Sequence, residues 1–218
     1  MSNRMNNKQP KILAFSGKIG TGKNYLAETP VFNYLRKTNK NVLILAFADY
    51  LKMICHVKDR ILYERLFYDK DEESRKALQT RGMLERKENN NVFVEILDCK
   101  IRLAFDRKID VILISDLRFK NEFEFLKNKG SILFRINAPK RNKDKLLKEC
   151  GGDENKASII ASHISEIDLD NSIKDFHHVL NNDYDNEDNI VFELEKILND
   201  YCEEIIKEDI KSENTTNN

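Results

Sequence analysis

Short apolar runs separated by longer amphipathic segments dominate the pattern of hydrophobic and polar positions along this chain. Four of the runs are continuous rather than alternating and are rich in branched residues: Ile12–Phe15, Val42–Phe47, Val111–Ile114 and Ile132–Ile136. A fifth and weaker run is Val179–Leu180. Continuous runs of this length are typical of parallel strands that are covered on both faces. The pattern therefore predicts a buried parallel sheet.

The segments between these runs have the periodicity of helices. Phe119, Phe123 and Leu126 share one helical face, and Gly130 is placed to end that helix. Two further segments each carry a single apolar stripe, formed by Val92, Ile96, Cys99 and Leu103 and by Val191, Leu194, Leu198, Tyr201 and Ile205. Alternation of strands and helices predicts an α/β domain that is wound in the right-handed sense.

A glycine-rich turn links the first apolar run to the next helical segment. Its spacing, Gly17-x-x-x-x-Gly22-Lys23, is that of a phosphate-binding loop between a strand and a helix. Glycines let the backbone fold around a polyphosphate so that several N–H groups face its oxygens, and the lysine reaches the terminal phosphates. The predicted ATP-binding residues are those of the loop: Gly17, Lys18, Gly20, Thr21, Gly22, Lys23 and Asn24.

The helix after this loop departs from the usual pattern at two positions. Asn24 stands where such loops carry Ser or Thr to help hold Mg²⁺, and its amide oxygen can coordinate the ion directly or through water. Pro30 interrupts the same helix, so we expect either a kink there or a fresh helix start with Thr29 as its N-cap.

Composition bears on the class of protein. The 37 Lys and Arg residues balance 37 Asp and Glu residues, so no global charge attracts nucleic acid polymers or anionic membranes. No apolar run approaches the roughly 20 residues that span a bilayer, and the polar N-terminus has no signal core, so we expect a cytoplasmic protein. The four cysteines show no zinc or disulfide spacing. The length suits one domain, with flexible ends expected at residues 1–10 and 209–218.

Polar residues follow the second and third apolar runs, where ligands bind in open α/β sheets. Asp49 and Lys52 follow the second run, and Asp116 and Arg118 follow the third. Asp116 is a candidate for holding Mg²⁺ through water, or it caps the following helix. Arg118 suits the phosphate of an acceptor, or it pairs with Glu122 at i+4. The Asp-x-x-Gly and Asn-Lys-x-Asp segments of GTPases are absent, which favours a small kinase.

A charged stretch after the fourth run predicts a mobile lid at about residues 139–165. Arg141 and Lys143 are candidate lid cations that close on the transferring group, although a charge run is more often a solvated face. We expect His163, Ser165 and Glu166 to organise the chain where it leaves the lid.

Four motifs together resemble the deoxynucleoside monophosphate kinases of phages and large DNA viruses. They are G-x4-GK at Gly17–Lys23, F-A-D-x-L-K at Phe47–Lys52, S-D-L-R-F-x-N-E-F-E at Ser115–Glu124 and S-H-x-S-E at Ser162–Glu166. The resemblance runs from about Lys11 to Leu198 and extends more loosely to animal-type phosphomevalonate kinases. It implies a three-layer P-loop kinase fold, with a central parallel sheet flanked by helices and a lid. It also implies transfer of the ATP γ-phosphoryl group to a deoxynucleoside monophosphate (dNMP).

The resemblance extends to a helix with Gln79, Gly82 and Arg86, and it implies roles for named residues. The residues expected to be catalytic are Lys23, Arg118 and Arg141. The residues expected to bind the acceptor are Asp49, Lys52, Gln79, Arg86 and Arg118. The residues expected to hold Mg²⁺ are Asn24 and Asp116. Where the family has Asp after the loop lysine and Asp-Pro after Phe-Ala, this chain has Asn24 and Asp49-Tyr50. We expect ATP to be the phosphoryl donor and Mg²⁺ to be the cofactor. The expected partners are small-molecule nucleotides, and the expected location is the host cytoplasm if the protein is viral. Family precedent suggests a homodimer.

Three alternatives remain open at the level of sequence. A phosphomevalonate kinase needs cations but no base-stacking groups, and aromatic residues that could stack on a base or belong to the core are Tyr50, Tyr63, Phe67 and Tyr68. A dephospho-coenzyme A kinase needs a general base such as Asp49. A non-catalytic nucleotide-binding module needs neither, and it is distinguished by whether Lys23 and Arg118 face each other across one gap.

Overall fold

Five parallel strands form a central sheet in the order β2-β3-β1-β4-β5 in the computed structural model. The structure describes residues 9–68, 71–105, 107–184 and 189–201, so most of the expected flexible ends and Ile205 lie outside it. The strands are β1 (Lys11–Gly17), β2 (Val42–Leu45), β3 (Val111–Leu117), β4 (Ile132–Asn137) and β5 (His178–Asn181). All five coincide with the predicted runs, and only β2 ends early, because Phe47 already turns into the next helix.

Helices connect the strands and lie on both faces of the sheet. In chain order they are α1 (Lys23–Leu26), a π-helical turn (Ala27–Val31), α2 (Phe32–Lys37), α3 (Ala48–Lys58), α4 (Tyr63–Phe67), α5 (Glu72–Glu88), α6 (Val92–Phe105), α7 (Lys120–Asn128), α8 (Pro139–Glu149), α9 (Glu154–Ala161), α10 (Ile164–Ile167), a 3₁₀ turn (Asp170–Asp175) and α11 (residues 189–201). The predicted end of α7 is confirmed, since Gly130 follows it with a φ of +69°.

The sheet separates two apolar cores, because successive residues of each strand point to opposite faces. On one face Ile12 and Ala14 of β1 pack with buried residues of α3, α6 and α7. On the other face Leu13 and Phe15 pack with the helical segment after the glycine loop and with Leu194 of α11. Burial on both faces explains why the runs are continuously apolar, and it confirms the three-layer α/β architecture.

The carboxyl ends of β1, β3 and β4 lie side by side at one edge of the sheet. Ser16 of β1 is level with Leu117 of β3 and with Arg135 of β4. The glycine loop leaves this edge after Gly17, and the Asp116–Arg118 segment leaves it from the neighbouring strand. Crossovers to opposite sides of the sheet start around this point, which is where ligands bind in open α/β sheets.

Pro30 does not begin a new helix. Residues 26 to 32 keep right-handed helical angles, and the chain passes the proline in the π-helical turn Ala27–Val31. A proline has no N–H to donate, and the wider π turn accommodates that gap without ending the helix. The expectation of Thr29 as an N-cap is therefore wrong, and the segment continues directly into α2.

Membrane-spanning helices are not found in the part of the chain that the structure describes, where every helix is too short or too polar to cross a bilayer.

A buried side-chain amide links the glycine loop to the end of strand β5. Asn182, directly after β5, donates from Nδ2 to the carbonyl oxygen of Thr21 at 2.8 Å. We predict that Asn182→Ala lowers the free energy of unfolding by about 1–3 kcal/mol, because it leaves a buried carbonyl without its donor. Urea unfolding followed by circular dichroism measures this change. The exposed Asn128→Ala serves as the matched control, and equal stabilities of the two variants would contradict the role of Asn182.

Candidate active site

The glycine loop has the closely folded shape that its spacing predicts. Gly22 has a φ of +80°, and a Cβ atom added to it would lie 2.5 Å from the side-chain nitrogen of Asn182. A Cβ atom added to Gly17 would lie 2.6 Å from the hydroxyl of Thr21 and 2.7 Å from the carbonyl oxygen of Ile136. Thr21 itself donates to the carbonyl of Lys18 at 2.9 Å. Glycine is therefore required for the backbone to turn here between β1 and α1.

Lys23 is buried at the base of this loop. Its side chain is only 4% exposed, and Nζ lies 3.4 Å from the carbonyl oxygen of Lys18. Burial and, to a smaller extent, the nearby positive charge of Arg118 together lower the pKa of Lys23 to about 7. The charges of Glu166 and Asp116 offset only part of this lowering. A buried lysine with a lowered pKa is a candidate for binding phosphate.

Arg118 is brought to the same place from the end of β3. Its guanidinium pairs with the carboxylate of Glu166, and Nη1 also lies 3.4 Å from the carbonyl oxygen of Ser165. The alternative of an i+4 ion pair with Glu122 is wrong, because Glu122 accepts hydrogen bonds from the backbone N–H groups of Arg118 and Phe119 instead. The positive charge of Arg118 thus acts on Lys23, and both residues interact with the carboxylate of Glu166.

Glu166 joins the two halves of the site. Its second oxygen accepts a hydrogen bond at 2.7 Å from the backbone N–H of Ile19, inside the glycine loop. Although burial raises its pKa, the charges of Arg118 and Lys23 hold the pKa of Glu166 below its usual value. Sequence reasoning placed Glu166 only in the chain leaving the lid. The structure shows that its carboxylate binds the guanidinium of Arg118 and the backbone N–H of Ile19 in the glycine loop.

A second carboxylate from the same region holds two more cations. Asp170 accepts from Lys18 at 2.7 Å and from the guanidinium of Arg135 at 2.9 Å, and Arg135 also donates to Ser16 at 3.0 Å. Lys18 therefore points to Asp170 in this structure. No sequence motif marked Asp170 or Arg135, because the contact joins residues more than thirty positions apart.

Asp116 supports the start of α3. Its two carboxylate oxygens accept from the backbone N–H groups of Phe47 and Ala48, each at 2.9 Å. The alternative that it caps the helix that follows it is wrong, since the N-cap of α7 is Phe119, whose backbone N–H is bound by Glu122. Asp116 nevertheless lines the cavity beside the loop, so its carboxylate remains near the expected position of Mg²⁺.

Oxygen donors suited to Mg²⁺ are present around Asn24. Asn24 contacts Ser115 at 3.3 Å, and Asp116 follows Ser115 at the end of β3. Within the described residues, no three His, Cys, Asp or Glu side chains gather as a metal cluster. Mg²⁺ in phosphoryl-transfer sites keeps several waters and needs only one or two carboxylates besides the phosphates. The donor set therefore fits the ion, which when bound would neutralise charge on the phosphates.

One cavity of about 790 Å³ extends from Asn24 to the inner ends of α3, α4 and α5. It is lined by every residue predicted to bind the acceptor: Asp49, Lys52, Gln79, Arg86 and Arg118. Of the aromatic residues considered for stacking, Phe67 and Tyr68 line the cavity. Tyr50 packs edge-on against Phe93, and Tyr63 stacks on Phe67. Neither Tyr50 nor Tyr63 is among the described lining residues.

Arg86 is held rigidly in the wall of this cavity. Its guanidinium lies 3.8 Å from the ring centre of Phe119 and 4.5 Å from that of Phe93, and it pairs with Glu122 at 3.3 Å. Burial and the neighbouring charge of Asp116 raise the pKa of Glu122 to about 7. Stacking between two rings orients the planar guanidinium, which suits it for recognising a phosphate or a base edge.

Asp49 and Lys52 form a small charged group at the start of α3. Asp49 lies 3.6 Å from Lys52 and 3.4 Å from Lys100, and it accepts from the backbone N–H of Ala46 at 3.3 Å. Lys52 also lies 4.7 Å from the ring centre of Phe67. The Asp49 carboxylate is therefore engaged by two ammonium groups and one backbone N–H.

The predicted lid cation Arg141 lies outside the described lining of the cavity. Its guanidinium lies 4.6 Å from the ring centre of Tyr184, and its backbone N–H donates to Asp183 at 3.2 Å. The region expected to be a lid consists of α8, α9 and α10, of which α9 and α10 contribute Ile160, His163 and Ile164 to the cavity wall. A catalytic role for Arg141 stays a prediction.

Comparison with known proteins gives one family and two structural likenesses. Residues 15–131, more than half of the 218, match the family model described as phosphomevalonate kinase. None of the curated proteins matches the chain. Shikimate kinase from Bacteroides thetaiotaomicron is 13% identical over 88% of this chain and 98% of that chain, with a TM-score of 0.44. The protein APE1195 is 15% identical over 91% of this chain and 97% of that chain, with a TM-score of 0.40.

The lowered pKa of Lys23 predicts proton uptake when ATP binds. At pH 8 this lysine is largely neutral, and a bound polyphosphate stabilises its charged form, so uptake should approach about one proton per ATP. Isothermal titration calorimetry in buffers of different ionisation enthalpy measures the uptake. Lys18→Met, which removes a neighbouring cation of the same loop, should retain it. Binding at pH 8 without proton uptake would contradict the assignment.

The shared carboxylate predicts a pH-dependent effect on stability. We expect Glu166→Gln to lower the free energy of unfolding of the nucleotide-free protein by about 1–3 kcal/mol at pH 7, because two cations lose their anion. Since the pKa of Glu166 is depressed in the folded state, this contribution is present above its ordinary value of 4.5 and is lost as the pH falls. Chemical unfolding from pH 7 to pH 4 tests this, with the exposed Glu124→Gln as control. A difference between wild type and Glu166→Gln that does not shrink on acidification would refute the interpretation.

Proposed function

We propose that this chain, which belongs to the phosphomevalonate kinase family, transfers the γ-phosphoryl group of ATP to the phosphate of a dNMP, giving the diphosphate. That the chain is an ATP-dependent kinase of small molecules follows from its family and its P-loop. The proposal concerns the acceptor, and it rests mainly on the cavity, which combines cations with the aromatic side chains of Phe67 and Tyr68.

The donor side of the proposed reaction uses the glycine loop. The backbone N–H of Ile19 in the loop and the ammonium of Lys23 interact with the carboxylate of Glu166, which occupies the proposed position of a phosphate. ATP binding requires this carboxylate to leave, because a phosphate and a carboxylate repel each other strongly at such a partly dry site. Its departure also releases the guanidinium of Arg118 for the transferring phosphoryl group or the acceptor phosphate.

The acceptor side favours a phosphate over a hydroxyl group. A phosphate monoester has a second pKa of about 6 and is largely ionised at neutral pH, so no general base is needed. Asp49 is held by two lysines and Asp116 accepts two backbone hydrogen bonds, so neither is arranged as a base. A hydroxyl acceptor, as in a dephospho-coenzyme A kinase, would need one. Catalysis then rests on positioning and on neutralising charge.

Aromatic side chains support a nucleobase in the acceptor. Phe67 and Tyr68 line the cavity, and Tyr68 is 72% exposed although it is large and apolar. A base stacked on such rings gains about 1–3 kcal/mol, whichever base it is. Gln79 lines the same cavity and offers both a donor and an acceptor to a base edge.

The second candidate acceptor is phosphomevalonate, which the family match favours. That molecule has no ring to stack, and the cations that line the cavity would serve its phosphate and carboxylate: Lys52, Arg75, Arg86 and Arg118. The two candidates therefore differ in whether Phe67 and Tyr68 contribute to binding.

An acceptor panel separates these functions. ADP formation is measured with ATP and Mg²⁺ and with each of the four dNMPs, the ribonucleotides, phosphomevalonate and dephospho-coenzyme A in turn. We expect turnover with at least one dNMP, and Tyr68→Leu to lower kcat/KM for it about tenfold through loss of stacking. Tyr25→Leu, which changes an exposed tyrosine outside the described cavity lining, is the matched control. Turnover with phosphomevalonate alone, unaffected by Tyr68→Leu, would establish the second candidate instead.

A further inference from the structure

A carboxylate that the sequence motifs do not include lies beside the unusual loop residue Asn24. Glu28 follows Asn24 by one helical turn, and its Oε1 accepts from the Asn24 amide nitrogen at 3.3 Å. The same oxygen accepts from the hydroxyl of Ser115 at 2.6 Å, at the end of β3. All three side chains line the cavity at its donor end. Glu28 is therefore tied both to the loop helix and to the strand that carries Asp116.

The π-helical turn contributes to this placement. Glu28 lies in the turn Ala27–Val31 that accommodates Pro30, and such turns alter the register of side chains at many functional sites. A helical side chain paired only with its i+4 neighbour would be an ordinary surface contact. Glu28 is distinguished by the bond to Ser115, a residue 87 positions away on the sheet.

The negative charge of Glu28 lies next to the loop that is expected to bind the phosphates of ATP. A carboxylate next to a phosphate loop repels the polyphosphate that the loop binds, unless a cation lies between the two anions. Within the described residues, the hydrogen bonds of Glu28 are made by Oε1, and the residue is exposed and lines the cavity. Neither Asn24 nor Ser115 carries a charge that could neutralise it. A hydrated divalent cation between Glu28 and the phosphates removes the repulsion.

We propose that Glu28, held by Ser115 and Asn24, is an anionic residue of the Mg²⁺ site that serves the donor nucleotide. Asn24 provides no negative charge at the position after the loop lysine, and Glu28 supplies that charge from one turn further along the helix. The carboxylate, the hydroxyl and the amide are hard oxygen groups of the kind that Mg²⁺ and its waters prefer. The inference rests on the ATP-binding part of the proposed function and is independent of the acceptor.

The test measures metal binding rather than turnover. Mn²⁺ replaces Mg²⁺, and electron paramagnetic resonance gives the dissociation constant of Mn²⁺ from the complex of protein and ATP. We expect Glu28→Gln to raise this constant about 10- to 100-fold. Calorimetry should show weaker ATP binding for this variant with Mg²⁺ but not with EDTA. The exposed Glu193→Gln, outside the described cavity lining, is the matched control and should behave as wild type.

A second variant tests whether the charge or the residue matters. The double change Asn24→Asp with Glu28→Gln keeps the same net charge and moves the carboxylate one turn back, so it should restore most of the Mn²⁺ affinity. An unchanged Mn²⁺ dissociation constant in Glu28→Gln would overturn the proposal. Equal weakening of ATP binding with Mg²⁺ and with EDTA would also overturn it, because Glu28 would then support the loop alone.

These outcomes are distinguishable from failure of the proposed function. If the acceptor panel shows no turnover with nucleotides while Glu28→Gln still weakens Mn²⁺ binding, only the acceptor proposal is lost. If the wild-type protein binds no ATP with Mg²⁺, the donor site itself is absent and both proposals are overturned. Circular dichroism of each variant identifies any loss of fold, and the double variant then provides the decisive comparison.

Discussion

The concentration of positive charge at the carboxyl edge of the sheet is the constraint on which the rest of the structure depends. Lys23 and Arg118 follow the adjacent strands β1 and β3, and in this buried environment the positive charge of Arg118 lowers the pKa of Lys23. Such an arrangement is stable only with a compensating anion. In this structure the anion is Glu166, and during phosphoryl transfer the phosphates would take its place.

The segment from α10 to the following 3₁₀ turn therefore has an electrostatic role. Two of its carboxylates, Glu166 and Asp170, contact four groups of the phosphate loop and the neighbouring strands: the Ile19 N–H, Lys18, Arg118 and Arg135. Because α9 and α10 also contribute to the cavity wall, the proposed displacement of Glu166 by a nucleotide would alter a segment that lines the cavity. Under the proposal, donor binding and acceptor binding would then act on one segment of the chain.

A second network of carboxylates fixes the geometry around these cations. Glu122 caps α7 and pairs with Arg86, while Asp116 holds the N–H groups at the start of α3. Each of these contacts joins the end of β3 to an element that lines the cavity. Rigid placement of this kind is what a reaction without a general base requires, because its rate depends on alignment and on charge already oriented before the substrates arrive.

The sequence by itself determined the sheet and the phosphate loop. Continuous apolar runs located all five strands because strands buried on both faces admit few polar residues, and the glycine spacing located the loop because other residues would collide there. The five residues that the family resemblance implies for acceptor binding, from Asp49 to Arg118, all line the described cavity, and their role in binding stays a prediction. Only the tertiary structure decided which carboxylate accompanies each cation. Glu166 rather than Glu122 pairs with Arg118, Asp170 binds Lys18, and Glu28 meets Ser115. These partners are separated by tens of residues in the chain. Ion pairs and hydrogen bonds depend on distances of a few ångströms in space, which hydrophobic periodicity and motif spacing do not encode.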